Sequence, residues 1–234
     1  LLLLLLHHKT GQLLLPTEQR RRLSFCGGET QFAPGKMAAR STATARSLEI
    51  LATPVRLSGR VVHGFGRGSA QLGFPTANLE IRWDRQADPS ALAPAERAVL
   101  DFAETARCGI YAAWAKVCDG PDRGVYKVAM SVGWNPHFRD VKRKTIEAWL
   151  LHDFADDFYD ATLRLVILAY VRDEAKFATL EDLIAEIRAD GDFCEAALDE
   201  RRDLVAFKDD PFFSSVVLGP QRDENGGSSQ TAPQ

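Results

Sequence analysis

The sequence predicts a mainly β domain, an antiparallel barrel or sandwich, followed by a helix near its C-terminal end. Period-two segments, the turn residues that separate them, and one late switch to a helical period carry that prediction. The first strand signal starts at Pro54, where Val55, Leu57, Val61 and Val62 lead into a glycine-dense turn. Residues 108–117 are short, apolar and rich in aromatic side chains. In residues 125–134, Tyr126, Val128, Met130, Val132 and Trp134 share one parity while Lys127 and Ser131 take the other, as a half-buried strand requires. Leu163, Leu165, Ile167, Ala169 and Val171 form one face of a further strand. Leu180, Leu183, Ile184 and Ile187 then fall at i, i+3, i+4 and i+7, so residues 179–188 should form an amphipathic helix. Thr179 with Asp182 gives it a capping-box-like start. An Ala/Pro/charged stretch from Asp84 to Arg107 interrupts the strands and holds a short helix around residues 95–104.

The chain has 234 residues, enough for one domain with extensions. Its 45% hydrophobic and 26% charged residues are those of an ordinary globular protein. The net charge of −3 hides a split, because residues 1–53 carry seven Lys/Arg against three Asp/Glu and the remainder 22 against 29. An acidic body lacks the clustered cations that phosphate backbones require, so no nucleic-acid partner is expected. No apolar run reaches the ~18 residues of a membrane span, and no membrane partner is expected. The four cysteines form no C-x-x-C pair and are too sparse for a disulfide scaffold, which points to a reducing compartment, the cytoplasm. Residues 1–53 read as a disordered leader and residues 214–234 as a disordered tail. The Arg/Ser/Thr-rich stretch from Met37 also fits a transit peptide, so a mitochondrial or other organellar address stays open.

The chemistry concentrates in Gly64–Leu79, where Gly64, Gly66, Gly68 and Gly73 let the backbone approach a ligand and turn N–H groups toward an anion. The spacing fits neither G-x-G-x-x-G nor a Gly-Lys-Ser/Thr phosphate loop, so on turn chemistry alone a flexible hairpin is an equal reading. Pro75 biases Phe74 toward extended geometry, which puts Thr76 and Asn78 on one side of the chain. A hydroxyl and a carboxamide oxygen there suit one hard cation that relies on substrate phosphates for its remaining ligands. His63, His137 and His152 show no protein-only metal spacing.

Gly64-Phe-Gly-Arg-Gly-Ser followed by Leu72-Gly-Phe-Pro-Thr-Ala-Asn78 strongly resembles the signature of riboflavin kinases, the flavokinases that make FMN from riboflavin and ATP. The likeness continues in order through Gly109-Ile-Tyr, Ser131-Val-Gly-Trp-Asn-Pro136, Lys144-Thr-Ile-Glu147, His152-Asp-Phe, Asp157-Phe-Tyr159 and Tyr170-Val-Arg172, and covers residues 54–213. The resemblance implies a six-stranded antiparallel Greek-key barrel with C-terminal α-helices, and a monomer. It implies Gly64, Arg67, Thr76, Leu150, His152 and Tyr159 at the nucleotide, with Thr76 and Asn78 holding the Mg²⁺ or Zn²⁺ that travels with ATP. Glu147 falls at the catalytic carboxylate. Arg172, in a loop closing on the flavin, and Lys176 fall at the flavin. The sequence departs from the pattern at Ala70 and Ala175, where relatives carry basic residues; Arg67 and Lys176 are the nearby cations.

The reaction so implied needs the terminal ribityl hydroxyl aligned with the γ-phosphate, charge neutralised around the phosphates, and a base for the hydroxyl proton. Two other readings compete. A flavin- or nucleotide-binding barrel would have the same fold without transfer. A bifunctional enzyme that also makes FAD would need a second domain larger than residues 1–53 provide.

Overall fold

The computed structural model describes residues 44–64, 72–134 and 143–215. Arg67, Ala70 and His137 lie outside them, as do most of the expected leader and tail. Six antiparallel strands close into a barrel: β1 (Glu49–Val62), β2 (Ala77–Leu79), β3 (Gly109–Val117), β4 (Tyr126–Trp134), β5 (Lys144–Leu150) and β6 (Thr162–Arg172). Their order around the barrel is β1-β2-β5-β4-β3-β6, with β6 pairing back onto β1, so no edge is left open. The expected six-stranded antiparallel Greek-key barrel is the one found.

Alternation sorts the side chains into two apolar layers. Leu57, Val61, Tyr111, Ala113, Val128, Met130, Ile146, Ala148, Leu150, Leu163 and Leu165 fill the interior. Helix α1 (Pro94–Thr105), within a residue of the stretch expected to be helical, closes one end by inserting Val99 and Ala103. Lys144 at the start of β5 donates to the Glu104 and Ala106 carbonyls, satisfying the C-terminal end of that helix. The outward residues Ile110, Ala112, Trp114, Ala129 and Val166 form a second core beneath α2 (Leu180–Glu200), which leads into the short α3 (Arg202–Val205).

Three expectations need correction. The boundary at Pro54 falls inside β1, which starts at Glu49, and the preceding residues are tied to the barrel: the Ser47 N–H donates to the Val171 carbonyl and Arg46 pairs with Asp190 and Glu186. The amphipathic helix runs to Glu200, not Arg188. Finally, β4 and β6 are covered on both faces, since α2 roofs the outer one. Along β6 the ladder slips between Ile167 and Ala169, leaving Leu168 unopposed. That bulge turns Ala169 outward and Tyr170 inward, so the expected single face of alternate residues ends at Ile167.

Candidate active site

Cross-strand pairing brings together residues far apart in sequence. Arg172 of β6 pairs with Ile110 of β3, Ile110 with Ser131 of β4, Ser131 with Glu147 of β5, Glu147 with Asn78 of β2, and Asn78 with Val62 of β1. Directly opposed residues in antiparallel strands point the same way. Ala77, Leu79, Ile146 and Ala148 occupy the barrel interior, so this row lies on the outer surface. Glu147 is buried to 8% exposure, and one of its carboxylate oxygens accepts from the Thr145 hydroxyl at 3.3 Å.

Gly64 follows β1 and abuts Asn78: a Cβ built there would lie 2.6 Å from Asn78 Nδ2 and 3.1 Å from Oδ1. Any side chain at 64 would displace the carboxamide. On its other side Asn78 Nδ2 reaches the Thr76 carbonyl at 3.5 Å. Thr76, Asn78 and Glu147 offer hydroxyl, amide and carboxylate oxygens, which is the chemistry of a hard-cation site. Among the described residues, no three His, Cys, Asp or Glu side chains gather as a protein-only metal cage.

A cavity of about 770 Å³ lies at the barrel end opposite α1, lined by the β3–β4 turn Asp119-Gly-Pro-Asp-Arg123 and by residues 154–161. Its volume falls within the range of small-molecule pockets, ~300–1,000 Å³. Tyr159 lines it, is 42% exposed, and stacks on His63 with ring centroids 3.7 Å apart. His63 is the chain neighbour of Gly64, so through this ring stack one wall of the cavity is tied to the strand end that leads to Gly64.

His152 stands beside this cavity. It stacks on Tyr126 at 4.0 Å, and its Nε2 lies 3.1 Å from Asp122 Oδ2. Hydrogen bonds from the Tyr126 hydroxyl and from the Gly124 N–H hold the Asp122 carboxyl below its ordinary range, while the same contact pushes the Tyr126 phenol up to about 12. Leu150 points into the barrel core, so only its backbone is available to a ligand at this end.

The flavin-side expectations are placed differently from their sequence reading. Arg172 ends β6 rather than sitting in a loop. Its guanidinium grips Asp190 of α2 through Nε at 2.7 Å and Nη2 at 2.5 Å, with both side chains almost wholly buried. Lys176 is exposed in the connection to α2. The sequence assigns no site role to His63, Asp122 or Tyr126; the turn residues of the Asp119–Gly124 segment are a signal for Asp122, and they read equally as an ordinary hairpin.

Oxygen donors, a buried carboxylate and a ligand-sized cavity on a closed barrel suit a protein that handles a small, metal-chelated ligand. The family model described as "Flavokinase: Riboflavin kinase" matches residues 51–198. The bifunctional riboflavin kinase/FMN phosphatase of Arabidopsis thaliana is 45% identical over 161 residues, 69% of this chain and 37% of that protein. The chain therefore spans little more than a third of that relative's length. The riboflavin kinase of Mus musculus is 39% identical over 160 residues, 68% of this chain and 90% of that protein. The crystal structure of the Trypanosoma brucei riboflavin kinase superposes with a TM-score of 0.55 at 25% identity, covering 74% of this chain and 96% of that one. The chain belongs to the riboflavin kinase family.

Proposed function

We propose that the chain transfers the γ-phosphate of ATP to the terminal ribityl hydroxyl of riboflavin, giving FMN and ADP. One observation carries the residue roles: Asn78 and Glu147 are cross-strand partners, and Gly64, His63 and Tyr159 connect them to the cavity. The nucleotide base occupies the cavity beside Tyr159 and His152, with the phosphates running over Gly64. Leu150 contributes its backbone to that end. Thr76 and Asn78 would hold a divalent ion chelated by the phosphates, and the all-oxygen donor set suits Mg²⁺ better than Zn²⁺. When bound, such an ion neutralises charge on the phosphate oxygens.

Glu147 accepts the proton of the ribityl hydroxyl as that oxygen attacks the γ-phosphorus. The bond between phosphorus and the β–γ bridging oxygen breaks, ADP leaves with the electron pair, and the proton passes from Glu147 to solvent. The flavin extends from Glu147 toward the connection between β6 and α2, with Ile110 and Arg172 of the outer row, covered by α2, beneath that side rather than on its surface. Arg172, committed to Asp190, shapes that end of the site, and Lys176 supplies the exposed cation near it.

Incubation with riboflavin, ATP and Mg²⁺ should yield FMN and ADP in equal amounts, read by chromatography. Binding of both substrates without FMN would establish the non-catalytic barrel instead. Formation of FAD would establish the bifunctional reading.

A further inference from the structure

Two residues beyond Glu147 on the outward face of β5 stands Trp149, and α2 meets it with Gly191. A Cβ at position 191 would lie 2.5 Å from Trp149 Cζ3, 2.8 Å from Cη2 and 3.4 Å from Leu151 Cδ2. Carbon atoms in contact rest at about 3.5–4.0 Å, so with any other residue the helix or the ring must move. Glycine is disfavoured within helices, yet Gly191 is buried near the middle of a 21-residue one. The indole ring accounts for it.

Trp149 meets Phe74 edge-on, with centroids 5.1 Å apart and planes at 82°. Phe74 is buried, and Arg188, one turn before Gly191 on the same helix, places its guanidinium carbon 5.8 Å from the Phe74 ring centre. Pro75 then fixes the backbone immediately before Thr76 and Asn78. Helix, indole, phenyl ring and metal-binding loop thus form one packed series.

We propose that Gly191 and Trp149 are positioning residues: through Trp149 and Phe74, α2 holds the backbone that presents Thr76 and Asn78 to the phosphates of the nucleotide. The assignment rests on the phosphate-binding role proposed for those two residues. It requires a nucleotide-specific defect from a helix position that touches no substrate. A merely structural glycine would affect melting temperature and leave the KM for nucleotide unchanged.

The test compares wild type, Gly191→Ala, Trp149→Phe and the double variant by thermal melting, by KM for each substrate, and by calorimetric binding of MgADP. Phenylalanine lacks the second ring that a Cβ at 191 would strike. Gly191→Ala should raise the KM for MgATP and the Kd for MgADP about tenfold, since small displacements of positioning groups have effects of this size or larger. The riboflavin KM should stay within about twofold, and the double variant should return to within about threefold of Trp149→Phe alone. Folded Gly191→Ala with wild-type MgADP affinity, or a double variant no better than Gly191→Ala, overturns the proposal. If Gly191→Ala does not fold, Phe74→Leu breaks the series from the other side while leaving the sequence of α2 unchanged, and wild-type MgADP binding by that variant overturns it equally. A wild-type protein that forms no FMN contradicts the proposed function itself, whereas intact FMN formation with unaffected variants contradicts only this inference.

Discussion

Asn78 of β2 and Glu147 of β5 are direct cross-strand partners on the outer face of the barrel, with Gly64 pressed against the Asn78 carboxamide. The cation ligand and the base proposed at these two positions are held on neighbouring strands by backbone hydrogen bonds rather than by loop conformation, which limits how far either can stray. Glu147→Gln keeps the shape and removes the proton acceptor. Its kcat should fall at least about tenfold, with circular dichroism and both KM values close to wild type. Steady-state kinetics check this, and near-normal turnover would remove Glu147 from its role.

Gly64→Ala addresses the same row from the other side. The added Cβ would meet the carboxamide at 2.6 Å. We expect a several-fold rise in the Mg²⁺ concentration needed for half-maximal rate, about threefold to thirtyfold, and a matching rise in the KM for ATP. Titrating Mg²⁺ at fixed ATP measures it, and an unchanged midpoint would detach Gly64 from the metal-binding pair.

Stability should depend sharply on Asp190. It is 0% exposed and receives hydrogen bonds from both Arg46 and Arg172, while Glu186 takes a second contact from Arg46. Asp190→Ala leaves two guanidinium groups facing one remaining carboxylate in a buried setting, and loss of one partner of such a cluster costs about 3–5 kcal/mol. Urea unfolding should show a loss of that order. Arg46→Ala, whose side chain is nearer the surface, should lose less.

Asp210 gives a pH dependence with a definite sign. A hydrogen bond from Arg56 comes first among the causes that hold its carboxyl below the ordinary 3.8, opposed by burial and helped by the Phe212 N–H. The folded state therefore binds the proton less readily than the unfolded chain. The stabilisation is complete above roughly pH 4 and is lost as pH falls through the lower folded value. Asp210→Asn should lower the urea midpoint at pH 7, and its difference from wild type should shrink steadily below about pH 4. A constant difference down to acid would contradict this linkage.

Much of the barrel was legible because alternation survives where one face is regular: β4 was read to within a residue, and Gly64, Thr76, Asn78 and Glu147 stood in recognisable motifs. The expected helix stops at Arg188 because the apolar i, i+3, i+4, i+7 series ends at Ile187. In the fold, Asp190 is consumed by two arginines and Gly191 by an indole ring, and neither partner is visible from local sequence. The Leu168 bulge was hidden for the same reason, since an apolar run with both faces buried carries no parity signal. The contact between Tyr159 and His63, which ties the cavity wall to the strand end before Gly64, arises from barrel closure alone.

The most direct test is a crystal structure of the chain with MgADP and riboflavin bound together. The account predicts ADP with its base in the cavity beside Tyr159, its phosphates over Gly64, and the Glu147 carboxylate within hydrogen-bonding distance, about 2.6–3.2 Å, of the terminal ribityl hydroxyl. A nucleotide lodged elsewhere, or Glu147 turned away from that hydroxyl, would contradict it.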